Sequence, residues 1–476
     1  MIKKNHITLL IIFVGFVIAI LTSINNLNKY DKIIIDNNGR AYHPMIKSDP
    51  YRYLSHGYEI KNDLKNGVSY FNTGRESYTK YLPPRIAATY YYLFDLDLFN
   101  NFEEKKINIG IHFSYLLIQC FFYFFCLLLL YFSISKIVSS NICFFIIGFL
   151  CFEPTIFQYH GTFWSESFFF SFQILLISLI LKKNSTNFNF FIVGIFLGIL
   201  SMQKQMAIFY IIPIVIYFFV SINQSKYKKI IFLFLGFCLI QSFLGYNNYH
   251  RSGKFYIMTA DTKLDLYRDL VMRVMPKKYG ISLNKFKESE GKVAFQLIID
   301  KSFEYNKKKL TSIKYPGVMD YRFALINEKD KVEFDNYISK RTFNYILSHP
   351  QEFGYSILKS SVHTILLNPF NIYSDHNFRK GEVYYHSKTR QKLIPYRIGY
   401  TLIIYLICLI GLFSIYKKKQ YKILSFLLLS ILYFYGLVSW HGNTRYFLPA
   451  FIYFSFFFGF GVDKIINFKY QLFVKK

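Results

Sequence analysis

Apolar residues in this chain come in long blocks and not at the spacing of an amphipathic soluble fold. Residues 107–138 and 188–220 are examples, each long enough to cross a hydrocarbon core of about 30 Å at least once. With hydrophobic residues at 53% of the chain, a soluble globular class is excluded. Hydropathy and length place about ten spans, at 7–21, 109–132, 142–157, 163–181, 188–201, 206–220, 230–246, 396–416, 423–438 and 447–462. The fold expected is all-α: a polytopic integral membrane protein whose transmembrane helices carry helical external loops.

The first block follows Lys3 and Lys4 as in a signal peptide, but its exit reads Thr22-Ser23-Ile24-Asn25-Asn26, with no small-x-small cleavage site. It is therefore read as an anchor helix. With the N-terminus inside, Lys136, Lys182-Lys183, Lys226, Lys228-Lys229, Lys417–Lys419 and Lys475-Lys476 all fall on the cytoplasmic side. The net charge of +29 then follows from such loops and from a Lys-rich composition, and no basic face with a docking motif suggests nucleic acid. Cys120, Cys126, Cys143, Cys238 and Cys408 lie inside apolar spans and Cys151 near the end of one, so they read as buried thiols and not as disulfides or zinc ligands.

Three parts result: an N-terminal transmembrane module (1–246) with a first external loop at 22–108, an external segment (247–395), and C-terminal transmembrane helices (396–476). Residues 353–370, interrupted by Lys359, Ser360, Ser361 and His363, fit an interfacial, re-entrant or spanning helix.

Ionisable residues gather where spans meet the external loops. Asp49-Pro50-Tyr51-Arg52-Tyr53 follows the first span, and Arg52 and Tyr53 come one helical turn after Asp49, on one face. Asp49 is either a turn-starting aspartate or a general base. Lys80 and Arg85 bracket Leu82-Pro83-Pro84, whose prolines are expected to hold the loop extended and present both cations to one site. Both also fit a basic surface against lipid headgroups. Glu153 and Glu166 sit near the ends of two spans, facing either a cavity or the headgroup zone. His160 near Glu166 suits a divalent ion by residue type, but the ligand spacing does not indicate one. Lys204 interrupts an apolar stretch, and Arg251 and Arg445 are placed similarly; each fits a lipid phosphate or simple snorkelling to headgroups.

In order along the chain these residues resemble the GT-C superfamily of membrane glycosyltransferases, in the branch of bacterial aminoarabinose and protein-mannosyl transferases. Asp49-Pro50-Tyr51-Arg52-Tyr53 resembles its Asp-Glu-x-Arg-Tyr pattern, and Lys80-Tyr81-Leu82-Pro83-Pro84 its Lys/Arg-x-Pro-Pro element. Trp164-Ser165-Glu166 is similar to the Thr-Glu element opening the fourth helix, and 247–255, with Arg251 and Gly253, to the exit from the membrane. Tyr345-Ile346-Leu347-Ser348-His349-Pro350 resembles the later His-Pro element, and Thr444-Arg445-Tyr446-Phe447-Leu448-Pro449 the Arg-Tyr-x-x-Pro element. Pro50 stands where many relatives carry a second acid, which leaves Asp49 as the only base there.

The resemblance implies an inverting transfer of sugar from a polyprenyl-phosphate donor to a glycan, lipid or protein acceptor at the outer face of a bilayer, in the bacterial inner membrane. Asp49 would be catalytic, Lys80, Arg85, Lys204, Arg251 and Arg445 would meet the phosphate, and Arg52, Tyr53 and Glu166 would position substrate, with no cofactor. An O-antigen or capsule polymerase is the first alternative, although its key loops usually lie late in the chain. A polysaccharide transporter or flippase is the second, although no repeated halves are visible.

Overall fold

The computed structural model describes residues 2–29, 34–35, 41–42, 49–73, 81–95, 109–182, 186–222, 225–258, 264–311, 313–366, 383–441 and 444–474. It is helical apart from a two-residue antiparallel pair, Ile34–Ile35 with Ala41–Tyr42, and one bridge. Among the described residues, six helices are long and apolar enough to cross a membrane: His6–Leu27, His112–Ile134, Lys226–Ser252, Ile398–Lys417, Tyr421–Val438 and Leu448–Phe468. They belong to α1 (Ile2–Lys29), α4 (Ile109–Ile134), α10 (Lys226–Ser252), α17 (Val383–Lys417), α18 (Tyr421–Val438) and α19 (Leu448–Val474).

Length does not extend that number to the ten expected spans. The apolar segments between 140 and 221 are α5 (Ser140–Phe152), α7 (Glu166–Ile180), α8 (Asn187–Gln203) and a 3₁₀ turn, Gln205–Tyr210, leading into α9 (Ile211–Ser221). None exceeds 17 residues, or roughly 26 Å of helix. A four-residue α6 (Pro154–Phe157) follows α5, capped by the Glu153 carboxylate, which accepts from the Thr155 and Ile156 amides. Ser139 and Thr186 cap α5 and α8 in the same way, each accepting an amide of the first turn.

Large apolar side chains cover the outside of the long helices. Phe13 is 61% exposed, Phe121 62% and Phe413 60%. Water would make that surface costly, and hydrocarbon would not.

Helix direction fixes two ends. Asn26 near the end of α1, Gln119 in the first half of α4, Glu166 at the start of α7, Gln203 at the end of α8 and Asn248 at the end of α10 carry the polar contacts described below. Lys136, Lys182, Lys226, Lys228, Lys229 and Lys417–Lys419 lie at the opposite ends of these helices or their neighbours. There Lys422 donates to the Ser221 carbonyl at 2.9 Å, closing α9 against α18.

At the polar end stand two further bodies. α2 (Asp49–Lys65) and α3 (Leu82–Leu93) pack on α1, α4 and α7 through Leu27, Leu54, Ala87, Tyr91, Leu116 and Phe168. Gly57 abuts Ala87 and the Pro84 carbonyl, Tyr58 meets Tyr91, and Lys61 lies 3.7 Å from Asp95. These contacts advance together along both helices, so α2 and α3 run the same way and their first turns lie at one end of the pair.

The second body, residues 264–366, has its own core around Tyr267, Val271, Met275, Phe286, Phe334 and Phe353. It contains α11 (Met272–Lys278), α12 (Leu283–Asp300), α13 (Lys307–Thr311), α14 (Val318–Ala324), α15 (Glu328–Ser348) and α16 (Pro350–Leu366). Ion pairs tie it together: Arg322 with Asp335, both buried, at 3.2 Å, and half-buried Arg341 with buried Glu290 at 2.6 Å. Residues 353–366 of the ambiguous stretch are thus the later part of α16, which is not among the six long apolar helices, and 367–370 lie outside the described residues.

α8 and α10 pack backbone to backbone. A Cβ at Gly194 would collide with the Leu233 carbonyl, and one at Gly236 with the Phe191 carbonyl, so only glycine permits this approach of two backbones. Gly194→Val is expected to lower the thermal midpoint of the purified protein, by about 1–3 kcal/mol of stability. Gly148→Val, where a Cβ would meet nothing within 4 Å, is the control. Equal midpoints in the two variants would contradict the packing.

Candidate functional site

The α8–α10 contact sets the geometry of the polar end. α8 stops at Gln203 because Lys204 takes extended backbone, φ −146° and ψ 121°. That break turns the Lys204 side chain inward, where Nζ lies 2.8 Å from Glu166 Oε1. The ammonium side chain is 2% exposed and the carboxylate 0%. Gln203 donates to the Ser165 carbonyl at 3.0 Å, so two consecutive residues of α8 grip the start of α7. Phe169 and Tyr446 place their rings 5.3 and 5.9 Å from the Lys204 ammonium.

The loop leading into α7 is strapped from the other side. Gln119 of α4 donates to the carbonyls of Tyr159, His160 and Thr162, and Asn26 of α1 to that of Gly161. His160 Nδ1 lies 2.8 Å from Ser167 Oγ. Among the described residues no group of three His, Cys, Asp or Glu side chains could hold a metal ion.

Arg85 forms the second centre. Pro83 and Pro84 do not hold an extended loop here. They open α3, within the first turn where a missing N–H costs nothing, and both are buried with Arg85. The Arg85 guanidinium is 7% exposed and lies 3.7 Å from the centre of the Tyr81 ring and 5.5 Å from that of Tyr70. Its Nη2 reaches Asn247 Oδ1 at 3.4 Å and its Nη1 the Tyr81 carbonyl at 3.4 Å. Arg85 Nε is buried with no hydrogen-bond partner, and no carboxylate among the described residues pairs with this side chain. Burial pushes the guanidinium pKa down from its usual value, and the nearby positive charge of Arg251 acts in the same direction.

Arg251, one turn after Asn247, donates to Asn248 Oδ1 at 2.9 Å and to the Tyr256 hydroxyl at 3.1 Å. Two adjacent asparagines at the end of α10 therefore hold two arginines. Tyr81 packs against Met202 and Leu244, which sets the start of α3 against the ends of α8 and α10, two residues from Lys204.

The residues singled out in sequence thus divide. Arg85 and Arg251 come together, and Glu166 and Lys204 come together at the same end of the bundle. Arg52 is half-buried and Tyr53 buried, both in the first turns of α2. Asp49 is the first residue of α2 and so lies toward the start of α3; its side chain lies outside the described residues. Lys80 also lies outside them. Arg445 belongs to a 3₁₀ turn, Thr444–Phe447, beside the described ring of Tyr446, and its side chain is outside them too.

Sequence reasoning missed Asn247, Gln203, Gln119 and Tyr81. The first three carried a usable signal, since amides within or at the ends of apolar spans need partners. Tyr81 carried none in a chain with 42 tyrosines.

No family model matches the chain, and no curated protein is significantly similar to it.

The Glu166–Lys204 pair gives a quantitative expectation. Glu166→Gln or Lys204→Met alone leaves one buried charge unpaired and is expected to cost about 3–5 kcal/mol. The double variant removes both charges and is expected to recover more than half of that loss. Thermal melts of the three variants measure the coupling, and additive losses would contradict it.

Proposed function

We propose that this chain is an inverting membrane glycosyltransferase that takes a sugar from a polyprenyl-phosphate donor. The observation that carries the reading is Arg85, a buried guanidinium with no carboxylate partner among the described residues, held by tyrosine faces and an asparagine. An uncompensated buried cation is unfavourable, and an anionic ligand would relieve it.

In this reading the donor phosphate lies against Arg85 and Arg251, with Lys80 and Arg445 as further phosphate contacts. Asp49, at the start of α2, takes the proton of an acceptor hydroxyl as its oxygen attacks the anomeric carbon. The bond from that carbon to the phosphate oxygen breaks, and the phosphate leaves with the electron pair. Fixed cations stabilise the charge that develops on it. Lys204 has an internal partner in Glu166, so this pair shapes the floor of the site, with Lys204 reaching phosphate only by exchange from Glu166. Arg52 and Tyr53 orient the acceptor, which is a glycan, lipid or protein.

The alternating direction of ten apolar segments supports the reading that the four shorter ones cross the bilayer as well. Lysines at one end of the bundle support placing that end in the cytoplasm and the site on the outer side of a bacterial inner membrane. No observation favours a polymerase or a transporter over transfer.

The test is transfer from a panel of radiolabelled polyprenyl-phosphate sugars in membranes. Wild type is expected to transfer from at least one donor, and Asp49→Asn to be slower by about 10²–10⁴-fold at equal expression. Unchanged transfer in Asp49→Asn would remove the base assignment. No transfer from any donor would remove the enzyme class.

A further inference from the structure

A cationic cavity lies in the body 264–366, apart from Arg85 and Lys204. It has a volume of about 560 Å³, is open on one side and lies between α11 and residues 352–360 of α16. Four cations line it, Arg273, Lys277, Lys278 and Lys359, against one carboxylate, Glu352. Lys278 hydrogen-bonds Glu352, which leaves three cations uncompensated by that acid, of which Arg273 has the Asp269 carboxylate nearby.

Those three have capacity to spare. Arg273 gives Nη2 to the Trp440 carbonyl at 2.7 Å, while its Nε is buried with no hydrogen-bond partner. Lys277 and Lys359 are exposed and make no ion pair among the described residues. The hydroxyls of Ser356 and Ser360 line the same wall. Convergent cations with hydroxyl donors match the oxygens of a phosphate, which Arg binds as a planar fork and Lys as a point charge.

The surroundings say what carries that phosphate. On α16, Tyr355, Leu358 and Val362 form one apolar stripe and are 72%, 68% and 57% exposed. The far end of α16 is pinned to a long apolar helix, since the Tyr405 hydroxyl of α17 donates to the Ile365 carbonyl at 3.0 Å. Tyr405 belongs to the candidate span Ile398–Lys417, so the end of α16 lies level with apolar helix. Lys359 is about 9 Å of helix back from Ile365, at the level where headgroups would meet that stripe. A soluble phosphate compound has no use for the stripe, whereas a lipid does.

We infer that the cavity between α11 and α16 binds the phosphate headgroup of an anionic phospholipid whose chains run from the level of Lys359 past Val362 toward α17, with Tyr355 and Leu358 beside the headgroup. The inference does not rest on sugar transfer. It also has a structural consequence. Arg273 joins the cavity to the Trp440 carbonyl, just past the end of α18, so an occupied cavity braces that helix end.

The experiment uses the full-length protein in detergent with a fluorescent phosphatidylglycerol. Unlabelled phosphatidylglycerol, phosphatidylcholine and inorganic phosphate serve as competitors. Phosphatidylglycerol is expected to compete and phosphatidylcholine to fail. The double variant Lys277→Gln/Lys359→Gln is expected to weaken binding by about tenfold or more. A control on the surface of α12, Lys285→Gln/Lys287→Gln, is expected to leave it unchanged. Both pairs are exposed, so the thermal midpoint should match wild type in each. Equal competition by phosphatidylcholine, or equal binding by the Lys277/Lys359 variant, would overturn the inference. Displacement by inorganic phosphate at the concentration at which phosphatidylglycerol competes would overturn the lipid as its source.

Discussion

A carboxylate and an ammonium taken out of water together set the polar end of this molecule. Glu166 and Lys204 are both buried, so each depends on the other to offset lost hydration. The pair stands where α7 begins and α8 breaks, and the break fixes the direction of the chain that follows. The 3₁₀ turn Gln205–Tyr210 then carries Tyr210 to Ser430 at 2.7 Å and to Tyr453, joining the middle of the bundle to its C-terminal helices. Gln173 completes the seam by donating to the Pro449 carbonyl at 2.9 Å.

Arg85 is the contrast. Both cations are buried at the same end, but among the described residues one is matched by an acid and the other by ring faces and an amide. A matched charge is a structural fixture. An unmatched one is held ready in a region of low dielectric, where its attraction for an anion is much stronger than in water. The two arginines also disfavour each other, which raises the benefit of a shared anionic ligand. That difference is why the proposed phosphate site centres on Arg85 and Arg251, with Lys204 as its support.

Much of this was legible in the sequence because hydropathy is local. The long apolar helices, the lysines at one end and the cations at the other follow from composition over about twenty residues. The number of crossings was less legible, since Glu153–Pro154, the Ser165–Glu166 helix start and the break at Lys204 shorten helices within continuous apolar sequence. Pro83-Pro84 misled for a different reason: proline breaks a helix interior but is tolerated in a first turn, and sequence alone does not say which applies. The partner of Lys204 was not legible, because Glu166 lies 38 residues away and meets it only through packing. The same holds for Arg85 and Asn247, separated by 162 residues.

Affinity for polyprenyl phosphate without a sugar tests the role of Arg85 apart from any question of donor or acceptor. The measurement is a titration of purified wild type, Arg85→Gln and Arg85→Lys, each with its thermal midpoint recorded. Wild type should bind, Arg85→Gln should bind about tenfold more weakly or worse, and Arg85→Lys should recover part of the loss. Equal affinity in wild type and a folded Arg85→Gln would contradict a phosphate site at Arg85, and the transfer mechanism built on it would fall with it.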